Sequence, residues 1–292
     1  MNELSIKEVQ DVSLDILQAV DLFCKDHHIR YFLDSGTLLG AARSKSFIPW
    51  DDDVDLVMPR PDYMRFVSEF TDSASLKLFS PEKGNSYFPY ARVCDMARTI
   101  SLPTGKWTNC DTGVGIDIFP LDGAPDTVEE FDELSANFVA KRNLLWRLRR
   151  MISPCHIVHS RFTEVVKESV YACIRTFFSF VLIRLIRLVL NSLLKLQLRY
   201  DYMSSQMCFY IGVNSGRRKY WKKAWFANVT EMVFCGRKYP VPTGYDERLT
   251  AEYGDWRSPP PDDKGRYNHA NLQKVFWRES ESKPLQPSMR VL

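Results

Sequence analysis

The segment FIPWDDDVDLVMP, residues 47–59, constrains this chain more than any other, because Asp51, Asp52, Asp53 and Asp55 crowd into five positions. In a strand, residues two apart share a face, so Asp51 and Asp53, and Asp53 and Asp55, are expected to point the same way. Like charges this close raise one another's pKa and oppose folding unless a cation neutralises them. A hard divalent ion does so, and Mg²⁺ held by one or two carboxylates plus substrate phosphates is the usual arrangement. An exposed acidic turn is the bland alternative, since Asp is common in turns. The alternation Asp53-Val54-Asp55-Leu56-Val57 between Pro49 and Pro59 reads instead as a strand.

Around it the first 125 residues mix helix and strand patterns. Residues 5–28 predict an amphipathic helix, with Ser5 and Glu8 as a capping box and Ile6, Val9, Ile16, Val20 and Phe23 near helical spacing. Residues 29–36 read as a strand ending at Gly36, 37–43 as helix-prone, and 61–70 as a helix with Pro61 in its first turn. Residues 90–95 and 115–121 are further strand candidates. The expected class is α+β, a mixed sheet with helices over about residues 1–125. Long helical patterns follow at 127–150 and 160–200, then a hairpin at 231–242 turning near Gly236, and a short helix in 243–256 stopped at Gly254. The tail from Pro259 is polar and proline-rich.

Charge is unevenly spread. Residues 1–140 carry 12 Lys/Arg against 24 Asp/Glu, residues 141–200 carry 12 against 2, and residues 201–292 carry 15 against 10. A nucleic-acid binder would not concentrate acid in its first half; the basic block points to a local anionic partner. With 45% hydrophobic and 26% charged residues the chain has material for a core, which excludes a disordered protein. The first ten residues lack the basic and apolar regions of a secretory signal. Seven cysteines form no CxxC pair, so reduced thiols in the cytoplasm are expected.

Upstream of the aspartates, Gly36 and Thr37 stand where a strand turns into a helix. Backbone N–H groups and a hydroxyl there can approach a phosphate, aided by the helix N-terminus. Such a turn facing paired carboxylates on the next strand resembles the layout of nucleotidyltransferase-fold enzymes, which commonly take a third carboxylate from a later strand. Asp117, in the alternating run GIDIFPLDG, is the first candidate; Asp122 competes, but Gly123 beside it suggests a turn.

Residues 31–66, YFLDSGTLLGAARSKSFIPWDDDVDLVMPRPDYMRF, resemble the signature of the LicD family, which includes phosphocholine transferases and the fukutin-related proteins. The resemblance continues at GIDIFPLDGAP (115–125) and at VPTGYDERLTAEYGDWRSPPPDDK (241–264), with His269 behind it. It covers about three quarters of the chain and leaves 135–215 as a divergent insert. Ser46 departs from the glycine expected before Phe-Ile-Pro-Trp. The resemblance implies a nucleotidyltransferase-like catalytic core over 1–134, a basic helical insert over 135–215, and a C-terminal part with a polar tail over 216–292. It implies transfer of a phospho-alcohol, phosphocholine first, from a CDP-linked donor to a sugar of a cell-surface glycan such as lipopolysaccharide, teichoic acid or capsule. Mg²⁺ or Mn²⁺ would sit on Asp53, Asp55 and Asp117. Gly36 and Thr37 would form the phosphate turn, with Arg43 and Arg92 holding phosphate oxygens and His269 touching substrate. A quaternary ammonium calls for aromatic faces, for which Trp50, Tyr253 and Trp256 are candidates beside core packing.

Two features stand apart. Cys155, His156 and His159 hint at zinc, but three ligands in five residues without a second cluster make a poor site, and they read as surface residues. Residues 171–200 pattern as one helix with a wide apolar face and a basic stripe through Arg175, Arg184, Arg187, Lys195 and Arg199, with no acid from 169 to 200. Its longest charge-free run is 8 residues, 176–183, against about 20 needed to span a bilayer. An interfacial helix on anionic lipid, at the inner face of the membrane, is expected, with internal packing or a dimer contact as the alternative. Two other functions remain open: nucleotidyl transfer to a small molecule, and an inactive membrane scaffold, which the intact Asp53, Asp55 and Asp117 oppose.

Overall fold

In the computed structural model, residues 2–103, 113–152, 162–210, 219–258 and 273–278 are described. The chain opens with α1 (Ile6–Asp26), whose Ser5 cap forms the complete capping box with Glu8. Val12, Ile16, Leu17 and Val20 recur at helical spacing and are buried against the sheet. Then follow β1 (Phe32–Leu33), α2 (Ser35–Ser44), β2 (Asp55–Pro59), α3 (Arg60–Glu69), β3 (Leu76–Phe79), β4 (Ala91–Asp95), β5 (Thr99–Pro103) and β6 (Gly115–Ala124). The remainder is α4 (Val128–Ile152), α5 (Phe162–Gln197), β7 (Met207–Phe209), β8 (Tyr220–Lys222), a 3₁₀ turn (Lys223–Phe226), β9 (Val229–Phe234), β10 (Arg237–Pro242), α6 (Tyr245–Tyr253) and β11 (Gln273–Trp277).

Seven strands make one mixed sheet in the order β1-β2-β6-β4-β3, with β7 and β8 added along the far half of β6. Only β2 and β6 run parallel; the other pairs are antiparallel. β6 is the long central strand, pairing β2 and β4 through its first part and β7 through residues 122–124, so the sheet curls around it. This is the mixed α/β architecture expected.

The sheet's two faces explain the alternating sequences. Leu56, Met58, Val93, Ile116 and Ile118 turn to a first apolar cluster with α1, α2, α3 and the β9–β10 hairpin. Val57, Tyr90, Phe119 and Leu121 turn to a second, aromatic cluster with Tyr210, Trp221 and Phe226. A third cluster joins α4 and α5 to the body through Ala124 and Phe209.

Several expectations are corrected. The strand read over 47–59 is only Asp55–Pro59. Phe47 and Ile48 are buried in a loop instead, and Asp51 N–H bonds back to the Ile48 carbonyl, so Asp51 lies in a turn and not on a strand face with Asp53. Asp122 is not in a turn, because β6 runs on to Ala124 and Asp122 pairs with Phe209. Gly123 is there for close approach: a Cβ on it would press into the Asp201 backbone. Within the polar tail, the described residues 273–278 include β11, which pairs β5, and the Trp277 indole donates to Glu8 at 3.2 Å. The 231–242 hairpin and the stop at Gly254 are as expected; Cys235 and Gly236 both take the positive φ that a two-residue hairpin turn requires.

Candidate active site

Strand register assembles the site. Asp55 on β2 lies directly beside Asp117 on β6, and Asp117 lies directly opposite Arg92 on β4. The three therefore share one face of three adjacent strands, at the end of the aromatic cluster. Val54 extends the pairing by one residue, its carbonyl accepting from the Asp117 N–H at 2.9 Å, which keeps the chain extended as it leaves Asp53.

α2 meets this row of side chains at its N-terminus. The Asp34 N–H donates to the Asp55 carbonyl at 3.0 Å, and the Asp55 N–H donates to the Thr37 hydroxyl oxygen at 2.9 Å. Thr37 thus clamps the first residue of β2 to the helix. A Cβ on Gly36 would collide with the Asp51 carboxylate oxygen, so a larger residue here would displace that carboxylate from the turn. Ser35 holds φ at 48°, an uncommon conformation for a non-glycine residue, and its hydroxyl is 2.6 Å from that of Tyr210.

Electrostatics follow from this crowding. Burial, then the charges of Asp53, Asp117 and Asp51, push the Asp55 carboxyl well above the usual range, with Lys219 opposing them. Asp117 is ion-paired to Arg92 at 2.5 Å. Among the described residues no three His, Cys, Asp or Glu side chains close into a ready-made metal cage. The cluster suits the other regime, in which one or two carboxylates share a hard divalent ion with substrate phosphates. Its mutual repulsion is the feature such an ion would relieve.

Behind the site lies a buried ionic network that the sequence did not announce. Arg248 of α6 and Asp34 are both wholly buried and paired at 2.6 Å, and Arg248 also reaches Glu252 at 2.5 Å. Lys219 pairs Glu252 at 2.7 Å and reaches the Tyr210 hydroxyl at 2.5 Å. Burial alone would raise the Glu252 carboxyl, but Lys219 and Arg248 outweigh it and hold it below the usual range. The Arg248 guanidinium lies 3.9 Å from the centre of the Trp221 ring, so this cation is packed as well as paired. The only advance signal is Arg248 and Glu252 four apart on one helix face, inside the 241–264 segment.

The other sequence candidates are scattered. Asp122 is bound by Arg60 through two contacts of 2.5 and 2.7 Å, and burial still pushes its carboxyl up to about 6. Arg43 sits in the last turn of α2, about 10 Å along the helix from Gly36. Trp50 is half-buried against the first cluster, and Trp256 is buried there with its indole N–H donating to Asp246 at 2.9 Å. Tyr253, 40% exposed, closes α6 next to Glu252. His269, Cys155, His156 and His159 lie outside the described residues. One cation of the basic block turns inward: Arg149 of α4 is buried over the Phe88 ring at 4.2 Å, the ring that Arg92 also faces at 5.7 Å.

Comparison with known proteins bears on this geometry. Residues 28–151 match the family model described as LicD/FKTN/FKRP, nucleotidyltransferase domain. That span holds α2, β2, β4 and β6, and so Gly36, Thr37, Asp53, Asp55, Arg92 and Asp117. The chain is 29% identical over 285 residues, 94% of its own length and 99% of the relative's, to the lipopolysaccharide cholinephosphotransferase LicD of Haemophilus influenzae. It is also 36% identical over 72 residues to an uncharacterized protein of Rickettsia typhi, 22% of this chain and 23% of that protein. The site built by β2, β6 and the start of α2 therefore lies within the span, residues 28–151, over which the chain is similar to the LicD/FKTN/FKRP nucleotidyltransferase-domain model.

Proposed function

We propose that this protein transfers phosphocholine from CDP-choline to a sugar of a cell-surface glycan such as lipopolysaccharide, in a divalent-metal-dependent reaction on a nucleotidyltransferase-like core. The observation that carries the reading is the strand register setting Asp55 beside Asp117, facing the N-terminus of α2. The near full-length similarity to a cholinephosphotransferase supports the choice of group transferred.

Asp53 and Asp55 would hold Mg²⁺ or Mn²⁺, with Asp117 as the third carboxylate. The chemistry that ion supplies is neutralisation of the diphosphate and of the departing CMP. The protein's own part is positioning, as in phosphoryl transfer generally. The first N–H groups of α2 offer anion contacts at the Gly36 turn. Arg92 holds the Asp117 carboxylate at its cross-strand position, and the Arg248 network keeps the start of α2 in register with β2.

The test is a donor panel: purified protein with Mg²⁺ and either CDP-choline, CDP-ribitol, CDP-glycerol or CTP, with a deacylated lipopolysaccharide acceptor. CMP released from CDP-choline, faster with acceptor present, is the expected result. Pyrophosphate from CTP and no CMP from any CDP-alcohol would replace the reading with nucleotidyl transfer.

A further inference from the structure

α5 is apolar on two sides, and among the described residues only one of them has a partner. Leu182, Ile186, Leu190 and Leu193, spaced three and four apart, pack into the cluster shared with Phe131, Leu134, Phe138 and Leu145 of α4. On the outer side Phe177 is 84% exposed, with Phe180, Val181, Leu185 and Leu188 also standing in solvent at the same helical spacing. Scattered exposed apolar residues need no explanation, but a continuous stripe of bulky ones marks a surface that binds something.

Charge identifies the occupant. Arg184, Arg187, Lys195 and Arg199 are exposed along the same helix, and Arg184 folds over the Phe180 ring at 4.6 Å. No acidic residue occurs from 169 to 200. A second copy of this chain docking through the same face would bring two sets of these cations together with no carboxylate between them. An anionic bilayer surface answers both features: apolar side chains insert between headgroups while guanidinium and ammonium groups meet phosphates. Spanning is excluded for the described helices, none of which is long and apolar enough to cross a membrane. We propose that the outer face of α5 docks this protein flat on membranes rich in anionic lipid. This stands independently of the transfer chemistry.

The experiment is co-sedimentation of the full chain with vesicles of phosphatidylcholine containing roughly one third phosphatidylglycerol, against vesicles of phosphatidylcholine alone. The wild type should pellet with the anionic vesicles at low salt and be partly released at high salt. Arg184→Gln with Arg187→Gln should weaken partitioning roughly thirtyfold, at about a factor of five per charge. Phe177→Ser with Leu188→Ser should weaken it at both salt concentrations. Melting temperatures of both variants should match the wild type, because these side chains stand outside the packed clusters. Wild type left in the supernatant with anionic vesicles at low salt overturns the proposal. So does a dimer in light scattering that the Phe177→Ser, Leu188→Ser variant dissociates while no vesicle binds, since the face would then be a protein contact.

Discussion

Replacing Arg248 by Met tests the buried network behind the site. The side chain has no exposure and is opposed by Asp34, also without exposure, and by Glu252, whose side chain is 14% exposed. Methionine fills similar volume and preserves contact with Trp221, so the change isolates the charge. Removing one partner of a buried ion pair strands the other and costs about 3–5 kcal/mol. Against a total stability of about 5–15 kcal/mol this is a large fraction. At roughly 2–4 °C per kcal/mol for larger domains, the melting temperature should fall by about 6–20 °C. The double variant Asp34→Leu, Arg248→Met should lose less than the sum of its singles, because the Asp34 carboxylate is removed together with its cation while Glu252 keeps Lys219. Urea unfolding at neutral pH measures all three. A single-variant loss under about 1 kcal/mol, or strictly additive singles, would refute the claim that these charges are buried and mutually compensating.

Three further outcomes follow from the same geometry. Asp55→Asn should lower CMP release by at least about a hundredfold while leaving the melting temperature unchanged or raised, since it removes one charge from a repulsive group; paired calorimetry and turnover decide it. Thr37→Val strands the Asp55 N–H and should cost about 1–3 kcal/mol, whereas Thr37→Ser keeps the acceptor and should stay near wild type in thermal unfolding. Glu252 has a folded pKa below its unfolded one, so its contribution to stability is present above the ordinary carboxylate range and is lost as pH falls through the lower value; Glu252→Gln should flatten that acid limb in pH-dependent unfolding.

What was legible in the sequence was what local chemistry encodes. Ser5 and Glu8 announce the start of α1, Gly254 the end of α6, and Gly236 the hairpin, because caps and turns depend on residues within a few positions. Asp55 and Asp117 were found as an alternation with apolar neighbours, and register then set them side by side. The errors have a common cause in distant contacts. The alternation Asp53-Val54-Asp55-Leu56-Val57 suggests a strand reaching back towards Pro49, but β1 supplies only Phe32 and Leu33, opposite Val57 and Leu56, so its ladder does not extend back over residues 47–54. Asp122 looked like a turn residue because Gly123 follows it, whereas that glycine exists to let residue 201 approach. The Asp34–Arg248 pair is 214 residues apart in sequence, and no spacing rule reaches that far. Arg149 was counted with the basic block read as facing an anionic partner and is instead buried against Phe88.

The most direct measurement is transfer itself. Purified chain, CDP-choline labelled in the choline, Mg²⁺ and lipopolysaccharide lacking phosphocholine should yield labelled glycan and CMP in equal amounts. The Asp55→Asn and Asp117→Asn variants, folded by circular dichroism, should yield neither. Label on the glycan at the wild-type rate from either variant would contradict the site. A wild-type protein that labels no acceptor yet releases pyrophosphate from CTP would contradict the reaction.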